Sequence, residues 1–234
     1  MWIKICGNTS LDDAQLAVDA GADAVGFVFA ESPRHVNRGQ VRAITPKLPA
    51  TIEKYGVFVD PSLAEVVETV AECGLTGVQL HTTSDPGLAR RFRERLGAVP
   101  GSARVGILRV LHYGEDLDTQ LEALCDDQAV DGVLIDSRTA KVAGGTGVTF
   151  DWRSAQASFL HQAPHLRLIV AGGLRPENVA EAISTLQPWG VDVVSGVEST
   201  PGRKNPAKVK AFIKAARKAA AEIEAIKQFP LPSS

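Results

Sequence analysis

The chain has 234 residues, a formal charge of −2, 44% hydrophobic residues and 22% charged ones. That length suits one large α/β domain with a sizeable core, and the near-neutral balance excludes the electrostatic footprint of a nucleic-acid or acidic-membrane binder. The expected partners are a small molecule or a second copy of the chain, as monomer or homodimer.

Taken in order, short apolar and β-branched runs predict strands near residues 2–6, 24–29, 54–59, 77–80, 104–110, 132–135, 167–170 and 192–194. Helical patterns fall between and after them, near 10–20, 38–47, 61–73, 85–96, 115–125, 151–161, 176–187 and 206–225. Strands covered by helices on both faces need near-continuous apolar runs of this kind. Eight β-then-α units in this length predict a single-domain (β/α)8 TIM barrel over residues 1–225, with its helices forming the outer ring. The punctuation agrees: Ser10 precedes one helical run and Gly21 follows it, while Asp60-Pro61 precedes another that stops near Gly74. Residues 226–234, ending KQFPLPSS, lack helical periodicity and read as a frayed tail.

Cys6, Cys73 and Cys125 are odd in number, far apart and without metal-ligand spacing, which argues for a reducing compartment and against a disulfide framework. The N-terminus, MWIKICG, enters a strand without a basic lead or a long apolar segment. The expected location is cytoplasmic.

In such a barrel the chemistry belongs at the C-terminal ends of the strands. The sixth strand ends at Asp136, and a loop carrying Gly144, Gly145, Thr146 and Gly147 follows before Phe150, Asp151 and Trp152 open a helix. A carboxylate at a strand exit, followed by a loop whose amides can wrap an anion, is the layout of a phosphosugar site. The bland reading is a capping aspartate and glycines that only permit tight bends. The turn with Gly172 and Gly173 and the run Ser195-Gly196 add two more candidate anion cradles after strands seven and eight.

Cys6 stands at the end of the first strand. A strand cysteine is by default a small buried apolar residue; a functional thiol needs access and a pKa lowered by cations or helix N-termini. Lys4 lies two residues earlier, so both side chains share one face. An ammonium inside the barrel requires a partner, and Asp192, on the strand that closes against the first, is the expected one. Arg34 in Ser32-Pro33-Arg34 is a candidate for a two-pronged grip on a substrate carboxylate. His81, ending strand four, either lines the pocket or is satisfied within the rim.

In this order and spacing, KICG, GFVF…SPR, GVFVD, LIDS…GGTG..FDW, AGGL.PENV and SGVE..PG.K resemble phosphoribosylanthranilate isomerase of tryptophan biosynthesis, across the chain up to about residue 215. The resemblance implies a barrel with neither cofactor nor metal, acting on a phosphosugar. The reaction is an Amadori rearrangement of N-(5-phosphoribosyl)anthranilate to 1-(o-carboxyphenylamino)-1-deoxyribulose 5-phosphate. It places the general base on Cys6, the general acid on Asp136 and the anthranilate carboxylate on Arg34. The phosphate falls to the loops with Gly145, Thr146, Gly147, Gly172, Gly173, Ser195 and Gly196. His81-Thr82-Thr83 and Val194 depart from the family pattern at one wall. Acid and base must start in opposite protonation states at one pH, so Asp136 needs burial or a neighbouring negative charge, for which a Cys6 thiolate is a candidate.

Three other readings compete. A dual-substrate isomerase that also serves histidine biosynthesis would be expected to carry an acid-acid pair, and Cys6 at the first strand speaks against it. A metal-dependent epimerase would need several His, Asp or Glu ligands at the strand ends, where His81 and Asp136 are the obvious ones. A silent barrel that binds a phosphorylated regulator would need neither acid nor base.

Overall fold

The computed structural model describes residues 1–81, 87–97, 104–112, 117–122, 124, 128–136 and 166–228. The loop of Gly144, Gly145, Thr146 and Gly147, the helix foreseen at 151–161, Thr82, Thr83 and Cys125 lie outside them. Eight parallel strands close into a barrel in sequence order: β1 (Trp2–Ile5), β2 (Ala24–Val28), β3 (Glu53–Val59), β4 (Gly77–His81), β5 (Gly106–His112), β6 (Gly132–Asp136), β7 (Arg167–Ala171) and β8 (Gly190–Val193). Around them lie α1 (Leu11–Asp19), α2 (Arg38–Ile44), α3 (Leu63–Cys73), α4 (Leu88–Gly97), α5 (Leu117–Glu122), α6 (Val179–Leu186) and α7 (Pro206–Gln228). A hairpin of β9 (Glu198–Thr200) and β10 (Arg203–Lys204) follows β8.

The period of two sorts the strands into two apolar layers. Ile3, Ile5, Val25, Phe27, Ile107, Val133 and Val191 join the cluster shared with the helices, while Trp2, Ala24, Tyr55, Leu108, Leu134 and Ile169 form a separate cluster inside the barrel. At the N-terminal end of the strands the interior is plugged by aromatic rings. Trp2 meets Tyr55 edge-on at 5.7 Å and lies 5.2 Å from Trp189, whose ring carries the Arg167 guanidinium at 4.4 Å. Gly77 and Gly190 make this possible, since a Cβ would come within 2.3 Å of the Tyr55 ring and 2.8 Å of the Trp2 ring.

Local signals act where the sequence puts them, with small shifts. Ser10 accepts a hydrogen bond from Asp13 N at 3.2 Å, and Gly74 ends α3 in the left-handed region at φ 59°. The cap of α3 is Ser62, one residue beyond the Asp60-Pro61 pair, because its hydroxyl accepts from Glu65 N. The last helix runs to Gln228, so residues 226–228, assigned to a tail by their lack of periodicity, are helical. Lys and Gln sustain a helix well. Arg217 of α7 pairs with Asp23 at 2.7 Å, and Asp23 also accepts from Ile3 N, tying the last helix to the first strand. Among the described residues no helix is long and apolar enough to cross a membrane.

Asp131 is the main ionic knot at the N-terminal end of the strands. Its carboxylate takes Arg93 at 2.6 Å, Arg104 at 2.5 Å and Ile107 N at 2.8 Å. Burial works to raise its pKa, but these donors outweigh it and hold the carboxyl below its ordinary value. A depressed carboxyl stabilises the fold above its unfolded pKa and loses that contribution as pH falls through the folded one. Asp131→Asn is therefore expected to cost roughly 2 kcal/mol at pH 7 and to lessen the loss of stability on acidification below about pH 4. Urea denaturation at pH 7 and at pH 3.5 checks both signs.

Candidate functional site

Residues at the C-terminal ends of the strands enclose a cavity of about 220 Å³. Cys6, just past β1, and Asp136, the last residue of β6, both line it, separated around the barrel by β7 and β8. Arg34, His81, Gly172, Gly173, Val194 and Ser195 share the same walls. Gly172 and Gly173 adopt φ of +83° and +60°, a conformation that favours glycine and turns the chain tightly at the cavity edge. Gly196 sits behind the wall instead, where a Cβ would come 1.8 Å from the Leu174 carbonyl oxygen, so close packing demands its glycine.

The floor is polar. Gln79 and Asp192 line the cavity, and beneath them lies Lys4, fully buried. The Lys4 ammonium donates to Asp192 Oδ1 at 3.1 Å and to Gln79 Oε1 at 2.7 Å, and Lys4 and Asp192 are register partners across the β1–β8 seam. The ion pair foreseen from the period of two is therefore present. Gln79 was not foreseen, although it shares the inward face of β4 with His81. Lys4 has only protons to give, which fixes the Gln79 amide with its oxygen toward Lys4 and its nitrogen toward His81 Nε2, 3.2 Å away. His81 then accepts at Nε2 and carries its proton on Nδ1.

Gly26 explains how Cys6 and Lys4 share one inner face. A Cβ there would fall 2.5 Å from the Cys6 sulfur and 3.0 Å from Lys4 Cε, so both side chains lie across the space that this glycine leaves. Burial works to lower the Lys4 pKa, but Asp192 and Cys6 outweigh it and hold the ammonium above its ordinary value.

The thiol is buried, as the default reading of a strand cysteine had it, and its pKa is not lowered in the way a functional thiol needs. Burial pushes the Cys6 pKa up, Asp192 adds to that, and Lys4 and Lys204 only partly oppose it. The protonated thiol is favoured, because withdrawal from water costs the thiolate more than two nearby cations return.

Arg34 is already gripped. Its Nε donates to Glu198 Oε1 at 2.8 Å and its Nη2 to Glu198 Oε2 at 2.6 Å. Its Cδ lies over Gly7, φ +71°, where a Cβ would approach it to 2.8 Å. Neither Glu198 nor Lys204 was singled out in the sequence, though both stand in the SGVE..PG.K motif; Pro201-Gly202 between two short polar runs was the available hairpin signal. Among the described residues no group of three or more His, Cys, Asp or Glu side chains is placed to hold a metal ion.

A family model for N-(5'phosphoribosyl)anthranilate (PRA) isomerase matches residues 3–215. The chain is 42% identical over 216 residues to the N-(5'-phosphoribosyl)anthranilate isomerase of Geobacter metallireducens, covering 92% of this chain and 98% of that protein. Among solved structures, the phosphoribosyl anthranilate isomerase of Thermotoga maritima superposes with a TM-score of 0.79 at 34% identity, covering 93% of this chain and 99% of the other. A phosphoribosyl anthranilate isomerase in complex with reduced 1-(o-carboxyphenylamino)-1-deoxyribulose 5-phosphate gives 0.76 at 33% identity, with the same coverage.

Proposed function

The chain belongs to the family of N-(5'-phosphoribosyl)anthranilate isomerases, enzymes of tryptophan biosynthesis, and on that premise we propose that its barrel mouth performs the Amadori rearrangement with Asp136 as general acid and Cys6 as general base. The observation that carries this reading is that both residues line one cavity, together with the candidate anion holders Arg34, Gly172, Gly173 and Ser195.

The substrate is a ribofuranose with anthranilate on C1 and phosphate on C5. Asp136 gives its proton to the ring oxygen, the C1–O bond breaks, and the nitrogen lone pair forms an iminium. The Cys6 thiolate then removes the proton from C2, and the bonding pair closes a C1–C2 double bond to give the enolamine. Loss of the hydroxyl proton and protonation at C1 yield the ketone. One proton is given and one taken, with no net oxidation, so the chemistry calls for an acid and a base and for no redox partner.

Two negative groups of the substrate anchor it at opposite ends. The phosphate is assigned to the amides at Gly172, Gly173 and Ser195, and to the loop of Gly145, Thr146 and Gly147. The anthranilate carboxylate is assigned to Arg34, whose grip on Glu198 uses Nε and Nη2. His81 lines the wall of the same cavity.

The decisive experiment mixes the purified chain with freshly prepared aminoaldose and follows the decay of anthranilate fluorescence. Turnover is the expected result; a chain that binds the product but never turns over the aminoaldose is a silent barrel. The pH profile adds a sharper test. The mechanism needs Asp136 protonated and Cys6 ionised at once, and these requirements cancel between the two pKa values; with the Cys6 pKa raised, kcat/KM is expected to stay level through the neutral range and to fall on the alkaline side as Cys6 titrates. A rise of about tenfold per pH unit between pH 6 and pH 8 is the signature of a base acting without a titrating acid and removes Asp136 from its role.

A further inference from the structure

The hairpin of β9 and β10 carries two buried charges that the rearrangement itself does not use. Glu198 is 6% exposed, and the Lys204 side chain is fully buried. Glu198 Oε1 accepts from Lys204 Nζ at 3.2 Å and from Gly202 N at 3.2 Å, while its two oxygens also hold Arg34. Lys204 Nζ donates in turn to the Cys6 carbonyl oxygen at 2.5 Å and reaches the Val194 carbonyl at 3.4 Å. Arg34 lies across Gly7, the residue after Cys6. The contacts close a ring: Cys6-Gly7, Arg34, Glu198, Lys204 and back to Cys6.

We propose that Glu198 and Lys204 are positioning residues, a buried pair that locks the Cys6 backbone and the Arg34 guanidinium into one frame and sets the charge that the Cys6 sulfur feels. The proposal rests on the reading of Cys6 as base and Arg34 as carboxylate holder.

A buried ion pair is a weak way to stabilise a fold, since apolar residues of similar size commonly do as well. The destinations of these hydrogen bonds point elsewhere, because they end on the two residues whose separation a substrate must span. The charges facing the thiol come from every side: Lys4 of β1, Asp192 of β8, Lys204 of β10 and Arg34 beyond β2, with Asp136 of β6 and His81 of β4 on the same cavity. Glu198 faces Arg34 and Lys204, and its backbone carbonyl accepts from Lys208 Nζ at 2.9 Å. Burial works to raise the Glu198 pKa, but Arg34 and Lys204 outweigh it, so the carboxylate stays ionised and offsets both cations.

Opposite signs follow for the two partners. With Cys73 and Cys125 replaced by Ala, Cys6 is the sole thiol, and its ultraviolet thiolate absorbance can be titrated directly. Lys204→Met is expected to move that titration up by about one pH unit, and Glu198→Gln to move it down, while Lys204→Arg keeps it near the parent. In turnover, Glu198→Gln is expected to raise KM about tenfold with a smaller change in kcat, because Arg34 loses its clamp; Lys204→Met is expected to lower kcat more than it alters KM. Titrations unmoved in Lys204→Met and Glu198→Gln, or moved alike in both, overturn the proposal. If Lys204→Met does not fold, Glu198→Gln and Lys204→Arg still decide it, since a downward shift in the first and none in the second are both required. If the thiol titrations shift as stated but the pH profile of turnover does not follow them, Cys6 is not the base, and the mechanism fails while the frame stands.

Discussion

Cys6→Ala is expected to lower kcat by about 10²- to 10⁴-fold, and Asp136→Asn by a similar factor, the usual contribution of a positioned acid or base. Each substitution removes one proton transfer and little else. Alanine at position 6 keeps a small apolar residue against Gly26, and asparagine at position 136 keeps the shape of the aspartate at the end of β6. Affinity for a stable product analogue, held through its phosphate and carboxylate, is expected to change by less than about threefold, because neither replaced group carries those contacts. Steady-state kinetics paired with calorimetric titration of the analogue separates the two quantities. A variant that keeps a tenth of the parent kcat contradicts the role given to its residue, and a large loss of analogue affinity moves that residue from proton transfer to binding.

Asp192→Asn is expected to destabilise the protein by about 3–5 kcal/mol, as breaking a buried pair by removing one partner does. Lys4 has no exposure and holds Asp192 and Gln79; asparagine leaves its charge with neutral partners in a place water does not reach. The complementary Lys4→Met leaves Asp192 at the cavity floor, where solvent still arrives, and should cost less. Replacing both with apolar residues should recover most of the loss, so a double-mutant cycle measured by urea denaturation is expected to give a favourable coupling well above 1 kcal/mol. Single variants within about 0.5 kcal/mol of the parent would show that the pair is already hydrated and that the barrel floor is not sealed. A second consequence reaches the thiol: Asp192 pushes the Cys6 pKa up, so its removal should bring the thiolate to lower pH even as the fold weakens.

The barrel was legible because its cause is local and repeated. Apolar runs of four to seven residues set between amphipathic stretches leave few arrangements other than a sheet wrapped by helices, and eight repeats let that sheet close on itself. The strand ends followed from the same pattern, and with them Cys6, His81, Asp136, Gly172, Gly173 and Ser195 as residues of one rim. Even the Lys4–Asp192 pair could be foreseen, because the alternation of strand side chains and the closure of the last strand on the first are both rules of pattern. Boundaries were less certain where competing signals sat side by side, as at Ser62 beside Pro61 and at the end of α7.

The tertiary structure alone decided what depended on burial and on distant partners. Arg34 meets Glu198 across 164 residues of sequence, and Lys204 meets the Cys6 carbonyl across 198; no periodicity reports such contacts, since they arise only when the hairpin after the closing strand folds back over the first. The direction of the Cys6 titration was hidden for a related reason. A nearby lysine in the sequence suggests an easier thiolate, but the sign is set by how completely water is withdrawn from the sulfur and by where Asp192 stands, and both are properties of the closed barrel. What the residues determine by themselves is which groups reach the rim, because side-chain alternation is a property of a strand. What those groups become chemically is settled by the company and the dryness that only the assembled sheet, helices and hairpin impose.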